Sequence, residues 1–399
     1  MDPDSMEFPS SDAPVETVSP GRLKERIDLG EDVTLLDVRM ESEYEEWRID
    51  GESVKNVNVP YFEFLDEEID EDVLARIPDD RELTVLCAKG GASEFVAAAL
   101  AERGYDVDHL EEGMNGWARV YEAHEVTGYD GAGTLVQYQR PSSGCLGYLL
   151  FDGSEAAVFD PLRAFTDRYL ADAEEFGVEL TYAFDTHVHA DHVSGLRELA
   201  AEGVEAVLPE AAGDRGVTYT DELTLTTDGD TFAVGDATIE TVFTPGHTSG
   251  MSSYLIDDAF LATGDTLFVE NVARPDLEED DDGAPEAART LYESLQERVL
   301  TLPDDTLVGG AHASDAAVPA ADGTYTARIV DLKGRMDALS MDDDEFVELV
   351  LSEMPPRPAN YEEIIATNLG RRETDDEEAF TLELGPNNCA ASRETLTSD

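Results

Sequence analysis

Between residues 21 and 121, short apolar runs alternate with amphipathic stretches. VTLLD at 33–37 reads as a buried strand and LTVLC at 83–87 as another, the second followed by a Gly-containing turn. ASEFVAAALAER at 92–103 reads as a helix closed by Gly104, a residue suited to the left-handed turn beyond a helix end. Residues 106–110 return to strand. Strand–helix–strand repetition predicts a parallel sheet covered by helices. The polar, Gly-rich stretch 122–133 predicts a linker. Beyond it, strands are expected at 134–139, 147–151, 156–160, 231–234, 237–243, 252–256 and 260–263. Helices are expected at 164–176, 194–202 and 285–300, and sheets interspersed with helices suggest two sheets in an αββα layering. The acidic stretch 275–285 predicts a solvated loop, and residues 1–20 a flexible lead-in. The fold class is therefore α/β: a parallel-sheet domain at 21–121, a linker at 122–133, an αββα domain at 134–323, and a mainly helical, polar extension at 324–399.

Composition narrows the partners. The 399 residues carry 91 acidic and 26 basic side chains, a formal charge of −65. Such a polyanion will not seek nucleic acid or an anionic membrane, since both demand clustered Lys and Arg. Three widely spaced cysteines, Cys87, Cys145 and Cys389, cannot make a disulfide framework, which predicts a reducing compartment. No apolar run reaches about 18 residues and the first residues lack a basic-then-apolar signal, so a soluble, cytoplasmic protein is expected. Only Lys24, Lys55, Lys89 and Lys333 are lysines. This composition resembles that of halophilic proteins, in which concentrated salt screens self-repulsion.

Histidine is scarce, seven in all, yet three fall in His187-Val188-His189-Ala190-Asp191-His192. This run follows a strand candidate at 179–185 and precedes a helix, where a strand-end loop presents side chains at a sheet edge. Imidazoles and a carboxylate converging there suit a first-row transition metal, zinc or non-haem iron. His247, in TPGHTSG, and His312, in GGAH, also follow strands, and Asp265, in TGDTLF, sits at a strand end.

H-x-H-x-D-H, then Gly-His, Gly-Asp and a last His, resembles the metallo-β-lactamase superfamily over about residues 130–315. DTHVHADHVSG, TPGHTSG, GDTLF and Arg274-Pro275-Asp276 are similar to persulfide dioxygenases and their glyoxalase II-like relatives. In the dioxygenases the resemblance implies one Fe(II) held by His187, His247 and Asp265, with open positions for O₂ and substrate. In the hydrolases it implies two zinc ions. His187, His189 and His247 would hold one, Asp191, His192 and His312 the other, and Asp265 would bridge them and help polarise a water. The ligand set alone does not choose between one ion and two. After His312 the chain has Ala313-Ser314 where relatives often carry Gly.

Cys87 ends a buried strand and opens the loop Ala88-Lys89-Gly90-Gly91, which runs into a helix. A thiol ringed by backbone N–H groups beside Lys89 should favour its thiolate, which can attack sulfane sulfur. Lys89, Gly90 and Gly91 are the expected cradle for the sulfur anion. LLDVR at 35–39 and GMNGW at 113–117 resemble a rhodanese domain over about residues 18–121. WRIDGE at 47–52 stands where relatives have a His-containing segment, and Trp117 is expected to pack rather than react. Cys145 is expected in the core, Cys389 has no assigned role, and His109 and His124 are expected to be solvated.

Together these readings predict a sulfur-metabolism enzyme. Cys87 would carry sulfur from a sulfane donor, and the metal site would oxidise a small-thiol persulfide to sulfite. The competing readings are a dinuclear zinc thioester hydrolase with an accessory rhodanese domain, and a persulfide sensor with a structural metal. Arg274 is a candidate for a substrate carboxylate, with a surface or structural ion pair as the alternative. Chains of this kind often form homo-oligomers.

Overall fold

The structure is a computed structural model that describes residues 14–66, 68–278, 280–314, 316–352, 354–392 and 395–397. The chain divides into two compact units, one ending at Val120 and one beginning at Tyr121. Among the described residues no helix is long and apolar enough to cross a membrane.

The first unit is built on a five-stranded, all-parallel sheet in the spatial order Glu16–Val18, Val107–Leu110, Leu83–Leu86, Val33–Asp37, Val54–Asn58. The central strands Val33–Asp37 and Leu83–Leu86 are buried along their whole length, as parallel strands covered on both faces must be. Helix Gly91–Ala101 packs Val96, Ala97 and Leu100 onto Leu83 and Val85. Trp117 lies in a second cluster with Leu23, Leu35 and Met114, a packing role. The lead-in is shorter than expected: Glu16–Val18 pairs in parallel with Asp108–Leu110 at the sheet edge. The rest of that stretch, 1–13, lies outside the described residues.

In the second unit two sheets face each other. One has seven strands, in the order Thr224–Thr226, Glu205–Pro209, Glu179–Phe184, Glu155–Phe159, Cys145–Asp152, Thr134–Arg140, Glu122–Glu125. The other has six: Thr231–Val234, Ala237–Phe243, Ser252–Ile256, Phe260–Gly264, Leu307–Gly310, Ala327–Arg328. Their inner faces share one core, in which Leu150, Phe159 and Phe184 meet Ile239, Tyr254 and Phe260. Helix Thr166–Phe176 covers one outer face with Tyr169 and Ala173, and helix Asp280–Ser294 covers the other with Ala288 and Leu291. This is the αββα layering.

Two stretches differ from expectation. The linker 122–133 begins with strand Glu122–Glu125, antiparallel to Thr134–Arg140. Its alternating exposure gives it no apolar run to read. The acidic stretch 275–285 is not all solvated loop. Asp276 and Leu277 are buried, because Arg274 neutralises Asp276, and the helix has begun by Asp280.

Candidate functional site

Four strand ends of the second unit deliver the metal-type side chains. The loop after Glu179–Phe184 carries His187, His189, Asp191 and His192. His247 follows Ala237–Phe243, Asp265 follows Phe260–Gly264, and His312 follows Leu307–Gly310. All seven side chains are buried. Gly264, at φ +50°, has no room for a side chain, since a Cβ there would collide with Thr186 Oγ1.

Hydrogen bonds fix which nitrogen of each imidazole is free. His247 Nδ1 lies 2.7 Å from the Arg274 carbonyl, which can only accept, so Nδ1 carries the proton and Nε2 keeps its lone pair. Thr186 Oγ1 donates to Asp160 (3.0 Å) and accepts from His187 Nδ1 (2.9 Å), which leaves His187 Nε2 without a partner. The two free nitrogens face Asp265 Oδ2, at 3.9 Å from His187 and 3.4 Å from His247. Oδ2 is itself buried and unpartnered. Burial first, then the neighbouring imidazoles, pushes His187 well below its ordinary value. Burial likewise lowers His247 against the pull of Asp265. Two neutral imidazoles and one carboxylate, with matching orphan atoms, fit a divalent ion of the iron or zinc class.

His189 stands beside this group. Its Nε2 donates to Asp160 Oδ1 at 3.1 Å and its Nδ1 has no partner. Asp185 lies in the same cluster with Asp160 and His189, and burial pushes its carboxyl up to about 7.

Asp191 and His312 form a second group. His312 Nε2 is 2.7 Å from Asp191 Oδ2, and Nδ1 is 2.7 Å from Asp265 Oδ1. Burial opposes charge on His312, but Asp265 and Asp191 on either side raise it well above its ordinary value. Asp191 Oδ2 also takes His192 Nδ1 and the Cys145 thiol, both at 3.2 Å. Asp191 Oδ1 and His192 Nε2 remain unpartnered.

Both thiols that the sequence left outside the site lie in it. Cys145 lies among Asp191, His192 and His312, and Cys389 among Asp191, Asp265 and His312. Cys145 is also buried, as a core residue would be, but it begins its strand at the site end. Asp160, Thr186 and Asp185 were missed as well. The signal for Asp185 and Thr186 was adjacency to the His run, whereas Asp160 is a lone strand-end Asp.

Arg274 is not placed to hold a substrate. It is buried, paired with Asp276 at 2.7 Å, and bonded to the carbonyls of Pro356 and Asn388. Its own carbonyl serves His247 instead. His109 and His124 are half-buried rather than solvated. His109 bonds Thr17 at 3.0 Å, and His124 lies in strand Glu122–Glu125.

In the first unit, Cys87 is buried at the end of Leu83–Leu86. Its Sγ accepts the Gly90 N–H at 3.0 Å and its thiol faces Ser93 Oγ at 3.4 Å. Gly90 takes φ +99°, which turns the loop back over the sulfur before helix Gly91–Ala101 starts. The N–H groups of Met114 and Asn115 hold the Cys87 and Ala88 carbonyls at 2.8 and 3.0 Å. Gly113 is required there because a Cβ would collide with the Cys87 carbonyl. Lys89 on the loop and Gly91 at the start of the helix are exposed. Arg39 and Asp37 form a buried ion pair at 2.6 Å in the LLDVR strand segment.

Residues 141–312 match the metallo-beta-lactamase superfamily, and residues 19–120 the rhodanese-like domain. The chain is 30% identical over 241 residues to the mitochondrial persulfide dioxygenase ETHE1 of Homo sapiens, an alignment spanning 59% of this chain and 87% of that one. It is 35% identical over 174 residues to a hydroxyacylglutathione hydrolase of Synechococcus, spanning 41% of this chain and 63% of that one. The crystal structure of ETHE1 from Myxococcus xanthus superposes with a TM-score of 0.51 at 28% identity, covering 59% of this chain and 98% of that one.

Proposed function

We propose that this chain, which belongs to the metallo-β-lactamase superfamily and carries a rhodanese-like domain ahead of its metal domain, oxidises a small-thiol persulfide to sulfite and handles sulfane sulfur through Cys87. The balanced reaction takes a persulfide RSSH, dioxygen and water to RSH, sulfite and two protons. The observation that carries this reading is the division of labour among the buried donors. His187 Nε2 and Asp265 Oδ2 are unspent and face each other with His247 Nε2, whereas both nitrogens of His312 are already used by carboxylates. That arrangement favours one ion over two. Iron(II) held by His187, His247 and Asp265 would supply open positions for dioxygen and the terminal persulfide sulfur.

The remaining residues act on those three. Thr186 and the Arg274 carbonyl hold the two imidazoles by Nδ1 and so turn each Nε2 inward, while burial keeps them neutral. His312 holds Asp265 by Oδ1 so that Oδ2 alone faces the imidazoles. In the first unit, the Cys87 thiolate would attack the outer sulfur of a donor such as thiosulfate, breaking its S–S bond and releasing sulfite to leave a Cys87 persulfide, with the Gly90 N–H stabilising the sulfur anion. Expected partners are the persulfide and the sulfane donor, with no nucleic acid or membrane. Anaerobic reconstitution with Fe(II), followed by persulfide-dependent oxygen uptake, tests the reading. Thioester cleavage without oxygen uptake would reject it.

A dinuclear zinc thioester hydrolase is the second reading. Asp191 Oδ1 and His192 Nε2 favour it, because they are unpartnered beside Cys145 and His312. The likeness to a hydroxyacylglutathione hydrolase agrees with it.

A further inference from the structure

The loop that carries four of the seven metal-type residues has no regular structure between Asp185 and Ser194. Its buried backbone groups must still find partners. Four of them find side chains of the C-terminal extension. Asn368 Nδ2 donates to the carbonyls of His189 and His192, both at 2.9 Å, and Asn368 Oδ1 accepts the Ser194 N–H at 2.9 Å. Glu383 Oε2 accepts the Val193 N–H at 3.0 Å, while Oε1 pairs with buried Arg140 at 2.8 Å. Cys389 packs with Ala190 of the same loop. Asn368 ends helix Tyr361–Asn368 and is buried. It lies beyond residue 312, where the match to the superfamily stops.

We propose that Asn368 is a positioning residue of the metal centre: its amide sets the shape of the loop that presents the histidines. Two donors and one acceptor on one planar group match two carbonyls and one N–H, and no other side chain of this size offers that set. An aspartate would keep the Ser194 bond but turn an anion toward two carbonyl oxygens. A leucine would leave three buried polar groups unpaired. Groups that orient metal ligands from outside typically change metal affinity by 10–100-fold.

The inference rests on the proposed metal site but not on its reaction, because metal release is read without turnover. The full-length protein is loaded with Zn(II), and release to a chromophoric chelator is timed for Asn368→Ala, Asn368→Asp and Asn360→Ala. Asn360 bonds the Leu382 carbonyl and so ties the same extension without touching the metal loop. Asn368→Ala and Asn368→Asp are expected to release zinc about 10- to 100-fold faster than the parent, and Asn360→Ala at the parent rate. The ligand-field bands of the Co(II)-loaded protein should shift in both Asn368 variants and not in Asn360→Ala. Parent-like release and spectra in a folded Asn368 variant would overturn the proposal, leaving Asn368 as an anchor that only lowers the melting temperature. Hydrogen exchange on the unsubstituted, metal-free protein gives a check that no substitution can confound. The Ser194 amide, which donates to Asn368 Oδ1, should be protected, and free exchange there would also overturn it.

Discussion

His312 Nδ1 lies 2.7 Å from Asp265 Oδ1, and this contact leaves Oδ2 of the same carboxylate as the oxygen facing His187 and His247. On the proposed one-ion reading, His312, with its Nε2 at 2.7 Å from Asp191, links two carboxylates and does not bind the ion. His312→Gln should therefore keep one metal per chain, bound roughly 10- to 100-fold more weakly. His247→Ala should lose the metal outright. Metal content after dialysis against a chelator separates the two. Equal loss in both variants would make His312 a ligand after all.

On the proposed reading, sulfur transfer by the first unit is separable from persulfide oxidation by the second. Cys87→Ser removes the only sulfur in the loop while keeping a similar volume. Transfer of sulfur from thiosulfate to a thiol should vanish. Oxygen uptake with a preformed small-thiol persulfide should stay within about twofold of the parent. An oxygen electrode and a colorimetric sulfur-transfer assay check both on one preparation.

Asp108 gives the first unit a pH signature. Burial pushes its carboxyl from 3.8 up to about 6, although a bond from Thr84 opposes the shift. A raised carboxyl binds its proton more tightly folded than unfolded, so its contribution to stability is lost as pH rises from about 4 through about 6. Asp108→Asn should melt higher than the parent at pH 7, with the difference closing as pH falls toward 4. Calorimetry at fixed high salt reads this. A difference that does not change across that range would contradict the assignment.

The surface sets the solvent. Exposed ion pairs such as Lys24–Asp28 contribute only about 0–1 kcal/mol each, too little to offset a formal charge of −65. Screening falls from about 10 Å in 0.1 M salt to about 3 Å in 1 M. The melting temperature should climb steeply with KCl between dilute and molar. A flat dependence would remove the halophile-type reading.

Sequence reading reached the metal loop because its signal is local: four ligand-type residues in six positions, in a chain with seven histidines. The central strands were legible for the same reason, since an apolar run such as 33–37 needs no partner to be recognised. What escaped was long-range. Asp160 lies 29 residues before His189, and Asn368 lies 179 after it, so neither shares a motif with the group it holds. Edge strands Glu16–Val18 and Glu122–Glu125 bury too little to leave an apolar pattern. For Arg274 the sequence offers Asp276 two residues on as an ion-pair partner, but not the carbonyls of the extension that close around it.

In the proposed reaction, one iron per chain carries out oxygenation. Metal analysis of the purified protein, combined with the ratio of sulfite formed to oxygen consumed from a small-thiol persulfide, tests it most directly. One iron per chain and one sulfite per dioxygen are expected. Two zinc ions per chain, with thioester hydrolysis and no oxygen uptake, would contradict it.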